Sequence, residues 1–251
     1  MTLILENVEK VVHGHTLYRV VVPTGEAKVL GGWVESSANV RDNAEVRGEA
    51  MVYGDAVVRG NAIVRGNATV CGNAVVEGRA VVCDHAEVCG NAIVRGHAVV
   101  GGDALVDGDA RVCDDAVLRG RAVVCDRALV HGYAVVGGDA VLRGNATVGS
   151  DAVVRDDATV SDNALVGGGA LVEGHATVGD DAEVRGDAVV GDRAVVCDDA
   201  TVSDNALVCG DAIVRGNATV GGNAVVCDDA VVSGHAVVGG DARVCDYYAS
   251  S

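Results

Sequence analysis

Cysteine, histidine and aspartate are the residues of this 251-residue chain that could do chemistry, and two of the three types recur at fixed intervals. The nine cysteines, Cys71, Cys83, Cys89, Cys113, Cys125, Cys197, Cys209, Cys227 and Cys245, are separated by multiples of six. Zinc binding would need four ligands converging tetrahedrally, whereas a fixed interval strings sulfurs along a line and supplies no fourth ligand. The aspartates Asp162, Asp180, Asp181, Asp198 and Asp199 recur at intervals of eighteen. Like charges stacked at that interval should raise some of their pKa values or recruit an adventitious cation such as Ca²⁺. A dedicated calcium site needs a cage of six to eight oxygens, which a straight row does not give. The histidines, His13, His15, His85, His97, His131, His175 and His235, are scattered.

The elements that position these residues follow from a period of six. Alanine occupies every sixth position from Ala38 to Ala242, 35 times, and two residues later stands valine, replaced only by Leu118 and Leu142. A helix would smear this pattern around its cylinder; a strand sends alternate residues to opposite faces, so Ala and Val both point inward. The residue between them points out. The remaining pair, Gly or Asp followed by Asn, Asp or another polar residue, is turn chemistry suited to the left-handed backbone region. Each hexad is a short strand and a corner, and 35 of them without an insertion must coil rather than form hairpins.

Composition agrees. The chain is 49% apolar, almost all Ala and Val, with no Phe, one Trp and one Pro, and its formal charge is −17. Such a content of buriable residues excludes disorder, and the small interior accounts for the missing aromatics. Apolar residues come in interrupted pairs, and Met1 to Lys10 carries Glu6 and Glu9 in place of a basic leader, so neither a membrane span nor an export signal is expected. Nine cysteines in that context point to a reducing, cytoplasmic setting. The opening segment differs: His15 to Val22 reads as a strand, Pro23-Thr24-Gly25 as a turn, and Leu30-Gly31-Gly32-Trp33-Val34-Glu35-Ser36 as the entry to the first coil. Residues 1–35 are therefore a capping segment, 36–245 the repeat, and 246–251 a tail whose Tyr247 and Tyr248 could cover the last coil.

The run Val-x-Gly-Asn-Ala-x, as in Val64-Arg65-Gly66-Asn67-Ala68-Thr69, resembles the hexapeptide repeat of the left-handed parallel β-helix, known from acyltransferases and γ-class carbonic anhydrases. The likeness covers about five-sixths of the chain. It implies an all-β triangular solenoid, left-handed, with three hexads or 18 residues per coil and about 11–12 coils. The order Gly14-His15-Thr16-Leu17-Tyr18-Arg19, then Leu30-Gly31-Gly32-Trp33-Val34-Glu35, then hexads, is similar to phage and prophage hexapeptide-repeat proteins. On such coils Cys71 stacks with Cys89, and Cys209 with Cys227 and Cys245. Cβ atoms on neighbouring rungs should lie farther apart than the ~3.8 Å of a disulfide, so the expectation is free thiols serving as small hydrophobes. A γ-carbonic-anhydrase-like site would need three histidines meeting between subunits, and an acyltransferase a catalytic histidine beside an inserted loop. Here His85, His97, His175 and His235 take the variable corner position, His131 takes the cysteine slot, and no loop interrupts the hexads. Neither catalytic residues nor a cofactor are expected.

Sorted at intervals of eighteen, the outward residues make three unequal faces. One reads Ile63, Val81, Val99, Val117, Val135, Val153, Leu171, Val189, Leu207 and Val225, closed by Glu45 and Arg243. A second is interrupted by Arg111, Thr147, Glu183, Thr201 and Thr219, and the third by Thr69, Glu87, Thr159 and Thr177. The clean face suggests self-association, a dimer over a trimer because only one face is clean. The reading is a non-catalytic structural and interaction rod, phage- or prophage-derived, binding itself and a further protein partner. Two alternatives come from other classes: an acidic DNA mimic that inhibits a DNA-binding protein, and a hexapeptide acyltransferase. Direct nucleic-acid binding is not expected, since stacked Arg pairs such as Arg41 with Arg59 lie beside acidic neighbours.

Overall fold

The computed structural model describes residues 4–24 and 27–245. Every hexad of the repeat does locally what its residue types dictate. From Ala44 to Ala230 the two residues after each alanine form a strand, as at Ile63–Val64, Thr69–Val70 and Val75–Val76, and the alanine and the second strand residue are both buried. The first corner residue takes a positive φ. Glycine fills that place at Gly66 (φ 74°), aspartate at Asp84 (φ 63°). At several aspartate corners the carboxylate accepts the backbone N–H of the corner one winding on: Asp84 from Gly102 at 3.0 Å, Asp192 from Gly210 at 3.0 Å, Asp204 from Gly222 at 2.9 Å. An acidic corner thus satisfies a donor that a glycine corner leaves to solvent.

The chain divides into two compact units, Met1–Asp126 and Arg127–Ser251, each a parallel β-solenoid with 18 residues per winding. In the first unit, strands 51–52, 69–70, 87–88, 105–106 and 123–124 pair in parallel along one face. A second face runs from 45–46 to 117–118 and a third from 57–58 to 111–112. The second unit repeats the arrangement, with faces running from 129–130 to 237–238, from 135–136 to 243–245 and from 141–142 to 231–232. Every pairing joins residue i to residue i+18, so the 18-residue coil is observed directly. Polar corner side chains join in: Asn73 donates to Asn91 and Asn91 to Asp109, both at 2.9 Å. Among the described residues there is no α-helix, and no helix long and apolar enough to cross a membrane; a single 3-10 turn, Ser37–Asn39, precedes the first full winding.

Ahead of the coils stand three longer strands, β1 (Ile4–Val12), β2 (His15–Thr24) and β3 (Ala27–Val34). β1 pairs antiparallel with β2 and β2 with β3, and β3 then pairs in parallel with Met51–Val52 through Trp33↔Met51 and Val34↔Val52. The strand expected from His15 is present and extends to Thr24; β1 carries no signal that the repeat analysis could use. The turn expected at Pro23-Thr24-Gly25 reaches beyond the described residues at Gly25, and Tyr247 and Tyr248 lie outside them. The Gly31-Gly32 pair is where β3 crosses the first winding. A Cβ on Gly32 would sit 2.5 Å from both the Ala50 carbonyl oxygen and Val46 Cγ1, so only glycine lets the strands approach this closely.

One expectation is corrected. Cys227 and Cys245 form a disulfide, with their Cα atoms 4.7 Å apart. In-register parallel rungs already stand at the distance a disulfide spans, and the two Cβ atoms need only lean toward each other; rung spacing does not prevent bridging. Cys71, Cys83, Cys89, Cys113, Cys197 and Cys209 remain thiols. The bridge ties strand 243–245 to 225–227 in a winding whose outward Val231 and Val237 are exposed.

Two outcomes test this account. Gly32→Ala should cost about 1–3 kcal/mol through the backbone clash, read as an earlier urea transition in the fluorescence of Trp33, the chain's single tryptophan. Cys245→Ser removes a cross-link closing a short loop, worth about 3 kcal/mol, and should raise hydrogen exchange at residues 228–245 while leaving the preceding coils protected.

Candidate functional site

Because each winding repeats the last in register, residues eighteen apart in the chain become a column with a step of about 4.8 Å. One column of the first unit gathers chemistry. Glu35, Tyr53, Cys71, Cys89 and Asp107 each follow an inward valine, and those valines pair successively, Val34 with Val52, Val52 with Val70, Val70 with Val88 and Val88 with Val106. Along its upper part lies the β1–β2 hairpin, whose two-residue turn is His13-Gly14 (φ 50° and 85°), the pattern that matches the twist of paired strands. That turn brings two histidines to the column. His15 Nδ1 lies 3.0 Å from both carboxylate oxygens of Glu35, and His13 Nδ1 lies 3.2 Å from the Tyr53 hydroxyl. The His15 ring also packs against Tyr53, centroid to centroid 5.0 Å.

Each group's protonation follows from these contacts. The hydrogen bond from His15 and a second from the Gly54 backbone N–H, at 2.7 Å, hold the Glu35 carboxyl below the usual glutamate range. Burial pushes the Tyr53 phenol up, and the adjoining Cys71 adds to this. Cys71 moves the other way: hydrogen bonds from Cys89 first, and from Tyr53, outweigh partial burial and bring its thiol down to about 7. Cys89, as the donor to that sulfur and itself half-buried, is pushed up. Burial also pushes up Cys83, Cys113, Cys197 and Cys209. The column can thus hold one stabilised thiolate beside a second thiol and a phenol, which is the equipment of thiol–disulfide chemistry.

On the other side of the cap, Trp33 Nε1 donates to Glu49 at 2.9 Å and Arg19 Nη1 to the same carboxylate at 3.0 Å, with the Arg19 guanidinium 4.8 Å from the Trp33 ring centre. These contacts lower Glu49 as His15 lowers Glu35.

The residues expected to matter from sequence are placed as follows. Ile63, Val81, Val99 and Val117 form an unbroken outward row on one face of the first unit, continued above by Glu45. Val135, Val153, Leu171, Val189, Leu207 and Val225 form the equivalent row on the second unit, closed by Arg243. All are partly exposed. Of the acidic edge, Asp180 and Asp198 come together with Cys197, one ligand atom of each within 4.8 Å of the others. Their carboxylates already accept backbone N–H groups, Asp180 from Asp198 at 3.1 Å and Asp198 from Gly216 at 2.8 Å. Asp162 accepts the Ser161 hydroxyl and Asp181 the Asn163 amide, so these four aspartates are engaged in corner hydrogen bonding; Asp199 is exposed. His85, His97 and His175 sit at exposed corners 3.5, 3.5 and 3.6 Å from Asp103, Asp115 and Asp157.

Sequence reasoning stacked Cys71 with Cys89 but missed Tyr53, Glu35 and the two hairpin histidines. The same eighteen-residue interval, carried upward into the cap, would have found Tyr53 and Glu35; the histidines required knowing how β1 folds back. In comparisons of the sequence, no protein-family model matches the chain and no curated protein matches it.

The two lowered carboxylates fix the sign of the cap's acid response. Their contribution is present above the ordinary glutamate pKa and is lost as pH falls through the depressed value. Trp33 fluorescence should therefore report loosening of the cap between about pH 5 and pH 2. Glu35→Gln should lower the cap's urea midpoint at pH 7, and the gap between variant and wild type should close in acid.

Proposed function

We propose that this chain is a non-catalytic structural and interaction scaffold, a phage- or prophage-derived protein of the left-handed hexapeptide-repeat type, that self-associates as a dimer through its clean apolar face. The observation that carries the reading is the row Val135, Val153, Leu171, Val189, Leu207 and Val225, six consecutive rungs of branched apolar side chains on one sheet of the second unit. Five intervals at strand spacing make it about 24 Å long. The opposing faces of the same unit are broken by Thr147, Glu183, Thr201 and Thr219, and by Thr159 and Thr177. A flat β face of this kind packs on its own copy at about 10 Å through a two-fold axis, where small branched side chains interdigitate without leaving polar groups buried. The acidic-mimic alternative rests on net charge alone, and many of the charges behind it are corner aspartates held by backbone N–H groups.

Light scattering at micromolar concentration should give twice the 25.2 kDa chain mass. The double variant Val153→Arg, Leu171→Arg should return the mass to that of one chain with an unchanged far-ultraviolet spectrum. A wild-type chain that is monomeric under these conditions removes the self-association reading.

A further inference from the structure

Three pairs of cysteines in this protein are related by the same geometric step, Cys71 with Cys89, Cys209 with Cys227 and Cys227 with Cys245, yet only the last is bridged. Cys227 and Cys245 occupy the slot after paired inward valines, Val226 and Val244, eighteen residues apart on adjacent parallel strands, and they are joined with Cα atoms 4.7 Å apart. Cys71 and Cys89 occupy the corresponding slot after Val70 and Val88, also paired in register on adjacent parallel strands. Their backbones are held by the same ladder, Cys71 N–H to the Val88 carbonyl and Cys89 N–H to the Val106 carbonyl, each at 2.9 Å. The backbone spacing a disulfide requires is therefore already built, and both side chains are partly exposed.

We propose that Cys71 and Cys89 form a reversible dithiol–disulfide site that exchanges with small-molecule disulfides, Cys71 attacking and Cys89 resolving. This reaches beyond the scaffold reading and does not depend on it. Division of labour between the two sulfurs follows from their surroundings. Cys71 lies between two donors, Cys89 on one side and Tyr53 on the other, which stabilise its thiolate at neutral pH; Cys89 keeps its proton. The charged groups acting on the pair are Glu87 and Asp107, both opposing thiolate formation, and the Tyr53 hydroxyl is itself held by His13. A thiolate with a pKa close to ambient pH is the best compromise between abundance and nucleophilicity.

The reaction balances. Cys71 thiolate attacks a disulfide RS–SR, forming Cys71–S–SR and releasing RS⁻, which takes a proton. Cys89 then loses its proton and attacks the Cys71 sulfur, forming the Cys71–Cys89 bond and expelling the second RS⁻. The protein pair loses two electrons, and the small disulfide is reduced to two thiols. A small dithiol or excess thiol reverses it.

The test uses the full wild-type chain. In timed labelling with N-ethylmaleimide at pH 7, followed by peptide mass mapping, Cys71 should react at least about tenfold faster than Cys83 and Cys113, whose thiols are held protonated. After equilibration with excess oxidised glutathione, mapping should recover Cys71 linked to Cys89. In Cys89→Ser the reaction should stop at a glutathione mixed disulfide on Cys71. Cys71 labelling no faster than Cys113, or Cys71 and Cys89 both still alkylatable after oxidation, overturns the proposal, and both readouts come from the unsubstituted protein.

Discussion

Everything in this protein depends on one constraint: the interior of each coil is narrow and is filled almost wholly by alanine and valine. A wall that narrow can be closed only if every winding is the same length and every rung lies directly over the last. The in-register pairing of residue i with residue i+18 is the result, and it holds at the parallel strand pairs described in both units. Leu118 and Leu142 show how little slack exists, since they are the only larger residues in the valine position and both are completely buried. Register of this kind is strongly specified, because a slip of one residue would turn the alanine and valine outward.

A consequence is that chemistry is organised in columns rather than in pockets. Any residue type that recurs in one slot meets its own kind at strand spacing, so asparagines donate to asparagines, corner aspartates receive the next corner's N–H, and cysteines face cysteines. Identical neighbours suit groups that can share a proton or a bond, such as amides and thiols, and are unfavourable for like charges. Corner aspartates such as Asp84, Asp180, Asp192, Asp198 and Asp204 escape that penalty because the carboxylate is turned onto a backbone donor. This also explains why so acidic a sequence can form tightly stacked corners: the charge sits where an unpaired N–H would otherwise be.

How much of this could be read from the sequence follows from the same constraint. The period, the strand and corner assignments, the 18-residue winding and the outward rows all derive from repetition, and repetition is visible in a single chain. β1 was not legible, because Ile4–Val12 obeys no hexad and pairs through backbone contacts with β2. The disulfide was misjudged because the spacing of rungs was compared with a Cβ distance, although the Cα separation across adjacent rungs already lies within the range disulfides occupy. The histidines were counted as scattered since their meeting with Tyr53 and Glu35 requires the hairpin to fold back over the first windings.

The cap is where the protein departs from its own rule, and that departure is what gives the column its character. Within the repeat a thiol is flanked by the small or charged residues of neighbouring slots, and burial first, with the adjoining aspartate, pushes its proton affinity up, as at Cys83 and Cys113. At Cys71 the winding before it is an early one beside the cap, which places a buried phenol, Tyr53, in the slot where another hexad carries arginine, glycine or serine. The tyrosine is in turn held by a hairpin that no coil could supply. Two hydrogen-bond chains of the first unit, from His15 through Glu35 to Gly54 and from His13 through Tyr53 to Cys71, therefore begin outside the repeat and end in it. A uniform solenoid can make a ladder of equivalent thiols; here a neighbouring thiol and a phenol anchored by the hairpin at the entrance make one of them different from the rest.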